Sequence, residues 1–155
     1  MGGGGETEPQ PLELMKIYFS HEKLTAYQQA LEFVRWSKPL LERIPKSAAV
    51  HSQLDRARTS IPLNLAEGNG KFSAAGKCKC FDIAHGSALE CAACLDLLFI
   101  KQELAEAELD AGKTILNRIV GGLIGLIESK MPGRFEMRED AGEYRVGSES
   151  RRENL

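Results

Sequence analysis

The chain lacks an apolar run long enough to cross a membrane. Its longest, residues 119–127, is about half of the roughly 20 residues that a span requires. There is no alternating apolar–polar pattern of the kind strands need, and no internal repeat. No phosphate loop, dinucleotide fingerprint or G-x-S-x-G elbow occurs. The Glu-x-x-His pair of di-iron bundles is absent as well. The N-terminus is glycine-rich and acidic, without the basic and apolar segments of a secretory signal. Net charge is only −2, from 20 basic and 22 acidic residues, so total charge implies neither a nucleic-acid nor a membrane partner. These absences predict a soluble, cytoplasmic protein with no membrane partner and no cofactor.

Cysteine is present four times, at Cys78, Cys80, Cys91 and Cys94. In a reducing compartment these stay thiols. The C-x-C and C-x-x-C spacings invite a zinc reading. One continuous helix, however, would set Cys80 and Cys91 about 16 Å apart along its axis, against zinc–sulfur bonds of about 2.3 Å. Buried thiols are the expectation, and no metal site.

What the sequence does contain is helical spacing. Ser20 is placed to cap a first helix, with Phe19 stapled against Leu24. That helix carries two apolar stripes, one through Leu24, Tyr27, Leu31, Val34 and Leu41, the other through Ala26, Ala30, Phe33, Trp36 and Leu40. Two stripes exceed what one bundle face needs, which points to a second surface, such as another subunit. Pro39 is expected to bend it near its end, and Pro45 to close it. A second helix begins at Ser47. Ser73 caps a third, expected to run to about residue 104, with Phe81, Ala84, Ala88, Cys91, Leu95 and Leu98 inside. Residues 103–110 read as an acidic connection. A fourth helix spans about 111–130, and Gly121, Gly122 and Gly125 suggest a close helix contact there. Four amphipathic helices with short connections predict an all-α, antiparallel up-down-up-down four-helix bundle over residues 19–131. A tail and lead-in (1–18) and a charged tail (132–155) are expected to be disordered.

The second helix carries the least ordinary stretch. The helix is expected to run through Pro62 with a kink there, and Gly68 and Gly70 end the segment. Ser60, Asn64 and Glu67 share a polar face, expected to point toward the small residues Ala84, Gly86, Ser87 and Ala88 of the third helix. A catalytic or ligand carboxylate at Glu67, helped by His85, stands against a buried polar seam that fixes helix packing; the seam is the favoured reading. Charge is unevenly spread. Residues 35–79 hold nine basic and three acidic side chains, and residues 82–110 hold one basic and seven acidic. This builds either a basic patch or two complementary solvated faces.

The segments FSHEKLTAYQQALEFV, QLDRARTSIPLNLAEGNGKFS and FDIAHGSALE resemble the four-helix bundle protein family, also called 23S rRNA intervening-sequence proteins. The resemblance rests on Ser60, Ile61, Pro62, Asn64, Ala66, Glu67 and Gly68, then Ala84, Gly86, Ser87 and Glu90. Lys71 stands where the family usually has arginine. The resemblance implies a closed four-helix bundle, ring-shaped homopentamers and no enzyme activity. A related group, the accessory variability determinant proteins of diversity-generating retroelements, binds nucleic acid and a reverse transcriptase through basic surfaces.

Three functional readings follow. The first is a non-enzymatic homo-oligomeric bundle, a pentamer by resemblance, that contacts RNA or DNA through Arg56, Arg58, Lys71, Lys77 and Lys79. The second is an adaptor that recruits a protein such as a reverse transcriptase without touching nucleic acid. The third, a small enzyme using Glu67 and His85, requires both to line an open pocket. The first two are separated by whether the five basic residues share one exposed face.

Overall fold

The computed structural model describes residues 15–135. Within them the chain forms a 3-10 turn, Ser20–Lys23, and four helices: α1 Thr25–Arg43, α2 Ala49–Gly70, α3 Ala74–Ile100 and α4 Glu106–Lys130. No strand occurs among the described residues. Each helix packs on the next and α4 closes back on α1, with the α2–α3 contact the most extensive. This is the expected bundle, because four short-linked amphipathic helices bury their apolar faces best around one core.

The helix boundaries differ from the spacing argument in instructive places. Ser20 does not cap α1. The Glu22 carboxylate accepts the backbone N–H of Tyr18 at 2.8 Å and that of Phe19, which winds residues 20–23 into the tighter turn. Those bonds hold the Glu22 carboxyl below the usual carboxylate range. The Ser20 hydroxyl instead accepts from Asn69 Nδ2 at 2.8 Å, tying the turn to the end of α2. The α2 helix starts at Ala49 rather than Ser47, and passes through Pro62 to Gly70. Ser73 does cap α3, its hydroxyl accepting the Gly76 N–H at 3.0 Å. The α3 helix stops at Ile100, short of residue 104, where Gln102 takes a left-handed φ of 61°. The acidic connection is largely helix: α4 begins at Glu106, with Glu106 and Glu108 in its first turn, where carboxylates favour the helix dipole. Arg43 Nη2 reaches Glu108 at 2.7 Å and pulls that carboxyl down further.

In α1 Ala26, Ala30, Phe33 and Leu40 of one stripe are buried and Trp36 is half-buried, while in the other Leu41 is buried and Tyr27, Leu31 and Val34 are half-buried. All six expected inner residues of α3 are buried. Two glycines are tight contacts. A Cβ on Gly68 would lie 2.8 Å from Phe81 Cε1, and one on Gly112 would lie 2.5 Å from Trp36 Cη2. Gly121 and Gly125 face open space instead, so in α4 only Gly122, against Ala26, makes the close contact expected of the three. The packed chain continues past Met131. Gly133 N–H donates to Glu128, Arg134 pairs with Asp82, and Phe135 packs on the core. By length and composition α3, not residues 119–127, is the helix apolar enough to cross a membrane. It is also the helix that supplies Phe81, Leu95 and Leu98 to the core.

Candidate functional site

The polar residues of α2 meet α3 at one point. Ser87, 9% exposed, donates its hydroxyl to Ser60 Oγ at 2.8 Å. Asn64 Nδ2 donates to the same oxygen at 3.0 Å and to the Ser60 carbonyl at 2.9 Å. Above this, Arg56 Nη2 meets Glu90 Oε1 at 2.8 Å across the helix pair. Below it, Gly68 packs on Phe81 and Cys80. Ser60, Asn64, Gly68, Ser87 and Glu90 therefore form one continuous α2–α3 seam, with Pro62 buried beside it.

Two expected members are elsewhere. Glu67 is on the surface, its carboxylate 3.3 Å from Lys71 Nζ. At this level Gly68 fills the approach to α3, so the preceding residue is turned outward. Gly86 is exposed, with nothing within 4 Å of an added Cβ, and plays no part in the close approach that Ala84, Ser87 and Ala88 permit. His85 is half-buried on α3, two residues from Ser87 and so about 160° away around the helix. At its centre the seam brings together two hydroxyls and an amide, and its carboxylate, Glu90, is paired with Arg56.

Four of the five basic residues have partners within the chain. Arg58 is a packing residue: its Nη1 donates to the Val34 carbonyl at 2.9 Å and to Ser37 Oγ at 3.3 Å, while Asp55 takes its Nε at 3.0 Å. Its side chain is 16% exposed. Arg56 is held by Glu90, Lys71 by Glu67, and Lys77 Nζ by the Asn69 carbonyl at 2.7 Å. Lys79 is exposed, but lies about 200° around α3 from Lys77. Sequence proximity grouped these residues; local acids and carbonyls engage all but Lys79.

The four cysteines are buried free thiols. Burial is the main cause that pushes the Cys91 thiol up to about 12, with Cys94 and Glu90 nearby adding to it. Cys94 is raised for the same leading reason. Among the described residues no three His, Cys, Asp or Glu side chains are placed to hold a metal ion.

The feature that the spacing argument missed is the outer face of α3. Gly86, Leu89, Ala93, Leu97 and Ile100 follow one another at steps of three, four, four and three, and all are exposed. Leu89, Leu97 and Ile100 keep 52%, 49% and 76% of their surface in water. The stripe is bordered by ion pairs satisfied within the chain: Arg56–Glu90 toward α2, and Lys113–Asp96 and Arg134–Asp82 toward α4. The signal was in the sequence: α3 has a second apolar stripe, as α1 does.

Fold and seam define a four-helix bundle whose signature residues hold two helices together. Residues 22–125 match the model of the 23S rRNA-intervening sequence protein family. The chain belongs to that family. It is similar to a crystal structure of a protein of unknown function from the S23 ribosomal protein family of Bacteroides thetaiotaomicron VPI-5482. The two share 25% identity at a TM-score of 0.61, over 66% of this chain and 95% of that one. No curated protein matches the sequence.

Proposed function

We propose that the protein is a non-enzymatic assembly module: a homo-oligomeric bundle that serves as a protein-recruiting scaffold. The observation that carries this is the solvent-facing apolar stripe of α3. A second apolar stripe on a helix calls for a second covering surface, and the buried residues of α3 lie on its other side. A patch of large apolar residues with a rim of satisfied ion pairs has the anatomy of a protein interface. Burial raises the Cys91 and Cys94 thiols, which weighs against their use as nucleophiles.

The nucleic-acid reading is the less supported of the two binding alternatives. Four of its five basic residues are engaged by partners within the chain. The ring of five that the resemblance implies would repeat Lys79 and the other surface lysines around an axis, and a salt-sensitive contact would follow from that. The test has two arms. Light scattering of the full chain at micromolar concentration should give a multiple of 17.1 kDa. Titration of labelled RNA and DNA at about 50 mM salt, where non-specific contacts are strongest, should show no binding. A monomer mass at every concentration removes the assembly reading. Tight binding that is lost in an Arg56, Lys71, Lys77 and Lys79 to Ala variant restores the nucleic-acid one.

A further inference from the structure

One end of the bundle concentrates positive charge. Asn69 donates to Ser20 at 2.8 Å, Gly68 lies against Phe81, Gly122 against Ala26, and the Cys78 thiol is 4.0 Å from the Ile127 carbonyl. The start of α1, the end of α2, the start of α3 and the end of α4 therefore meet there. They bring together Lys16 and Lys23, then Lys71, Lys77 and Lys79, then Lys130 and Arg134. The carboxylates at this end are already engaged. Glu22 accepts backbone N–H groups, Glu67 pairs with Lys71, Asp82 pairs with Arg134, and Glu128 accepts the Gly133 N–H. Lys16, Lys23, Lys79 and Lys130 form no ion pair among the described residues. Exposed apolar side chains gather at the same end: Met15, Ile17, Tyr18, Phe19, Phe72 and Met131.

The segments outside the described residues are attached here, and they carry the opposite charge. Residues 1–14 join at Met15 and hold Glu6, Glu8 and Glu13 with no lysine or arginine. Residues 136–155 join at Phe135 and hold six acidic and four basic side chains, so the first segment is the better match for a cationic surface. Beside Met15 lies a cavity of about 90 Å³, lined by Met15, Ile17, Glu22, Tyr27, Gln28 and Leu31. That is several times the space one water needs. The apolar residues that directly precede it in the chain are Leu12 and Leu14. From this complementarity of charge and apolar surface we infer that residues 1–14 dock back over this end of their own chain. Leu12 and Leu14 sit at the cavity, and Glu6 and Glu8 meet the lysines.

The geometry allows it. In an extended chain Leu12 and Leu14 project to one side and Glu13 to the other. Glu6 precedes Met15 by nine residues, which span up to about 30 Å. Neighbouring helix axes of a bundle lie only about 8–10 Å apart, so every lysine of this end is within reach. Exposed ion pairs are individually weak, but tethering holds these carboxylates at an effective concentration in roughly the millimolar range. Residues 1–14 are then a built-in competitor for any anion that approaches these lysines. An acidic partner gains this end by displacing them.

The test is carbodiimide cross-linking of the full chain at low salt, which joins a carboxylate to an amine only in direct contact, read by peptide mass spectrometry. It is run on a co-refolded equal mixture of isotope-labelled and unlabelled chains. Links from Glu6 or Glu8 to Lys23, Lys71, Lys77 or Lys130 are expected within one isotope, and none to Lys46 or Lys101 at the opposite end. Leu12→Ser/Leu14→Ser changes no residue of the core and should lose these links at unchanged helix content. No links, or links as frequent to Lys46 and Lys101, overturn the inference. So do links that survive the leucine changes, which would mean a tethered segment without a seat, and links found mainly between differently labelled chains. The result is independent of the assembly reading, since it concerns contacts within one chain and light scattering measures the other.

Discussion

The inner and outer faces of α3 are built from similar residues and sit in opposite environments. Phe81, Ala84, Ala88, Leu95 and Leu98 are essentially out of water, while Leu97 is 49% exposed. On the inner face each apolar side chain meets α2 or α4, and Gly68 lets Phe81 approach the backbone of α2 closely. On the outer face equally large side chains, Leu89 and Leu97, keep about half of their surface in water. Hydrophobic spacing says that a face is to be covered; it does not say by which chain. The residues that look most functional in the sequence, Ser60, Asn64, Ser87 and Glu90, hold the inside together, and the surface available for work is made of leucine and isoleucine.

The largest contrast between the faces is stability. Phe81→Ala removes a fully buried ring and should cost about 3–5 kcal/mol in urea denaturation. Leu97→Ala should change the stability of the isolated bundle by no more than about 0.5 kcal/mol. Equal losses would mean that the outer face is covered within the chain.

Next come the two arginines of α2, which the sequence could not tell apart. Arg58→Ala strips donors from the Val34 carbonyl and from Ser37, which is 0% exposed, and should cost about 1.5–3 kcal/mol. Arg56→Ala breaks an ion pair whose arginine side chain is 72% exposed, and should cost less than about 1 kcal/mol. Thermal melts of both variants decide whether Arg58 is a packing residue.

Glycines sharpen the comparison at smaller scale. Gly68→Ala puts a methyl 2.8 Å from Phe81 Cε1 and 2.9 Å from Cys80 Cβ, an overpacking expected to cost about 1–3 kcal/mol. Gly86→Ala, on the outer face, should stabilise the monomeric bundle by about 0.5–1 kcal/mol through helix propensity alone. The two variants should move the urea midpoint in opposite directions.

The smallest effect is with pH. Burial holds Cys91 protonated up to about 12, against an ordinary thiol near 9. Between those values the unfolded chain has lost this proton and the folded chain keeps it, so stability falls as pH rises through the window and is complete below it. Cys91→Ala should flatten that alkaline slope in denaturation titrations between pH 8 and 11. An unchanged slope would place its cause in other groups.

Much of the fold was legible, because periodicity is a local property. The helix count, the Ser73 cap and all six inner residues of α3 follow from spacing and capping chemistry. The start of α1 did not, because Glu22 bonds backward to Tyr18 and Phe19 and winds a separate turn first. The seam was half legible. Ser60, Asn64 and Ser87 meet as expected, but whether residue 67 or 68 faces α3 depends on a tertiary contact, the Phe81 ring against Gly68. The basic residues were the least legible, since their roles depend on which acid or carbonyl the folded chain brings to each. The outer stripe of α3 was legible and unread: its spacing is as regular as that of the inner face.

Whether the outer face of α3 is where this chain meets another is decided by mass. Leu89→Glu/Leu97→Glu places two charges on the stripe and touches nothing in the core. Light scattering over a concentration series, with helix content followed by circular dichroism, should show wild type as an assembly and the variant as a folded chain of 17.1 kDa. A variant that keeps the wild-type assembled mass at unchanged helix content would contradict the claim.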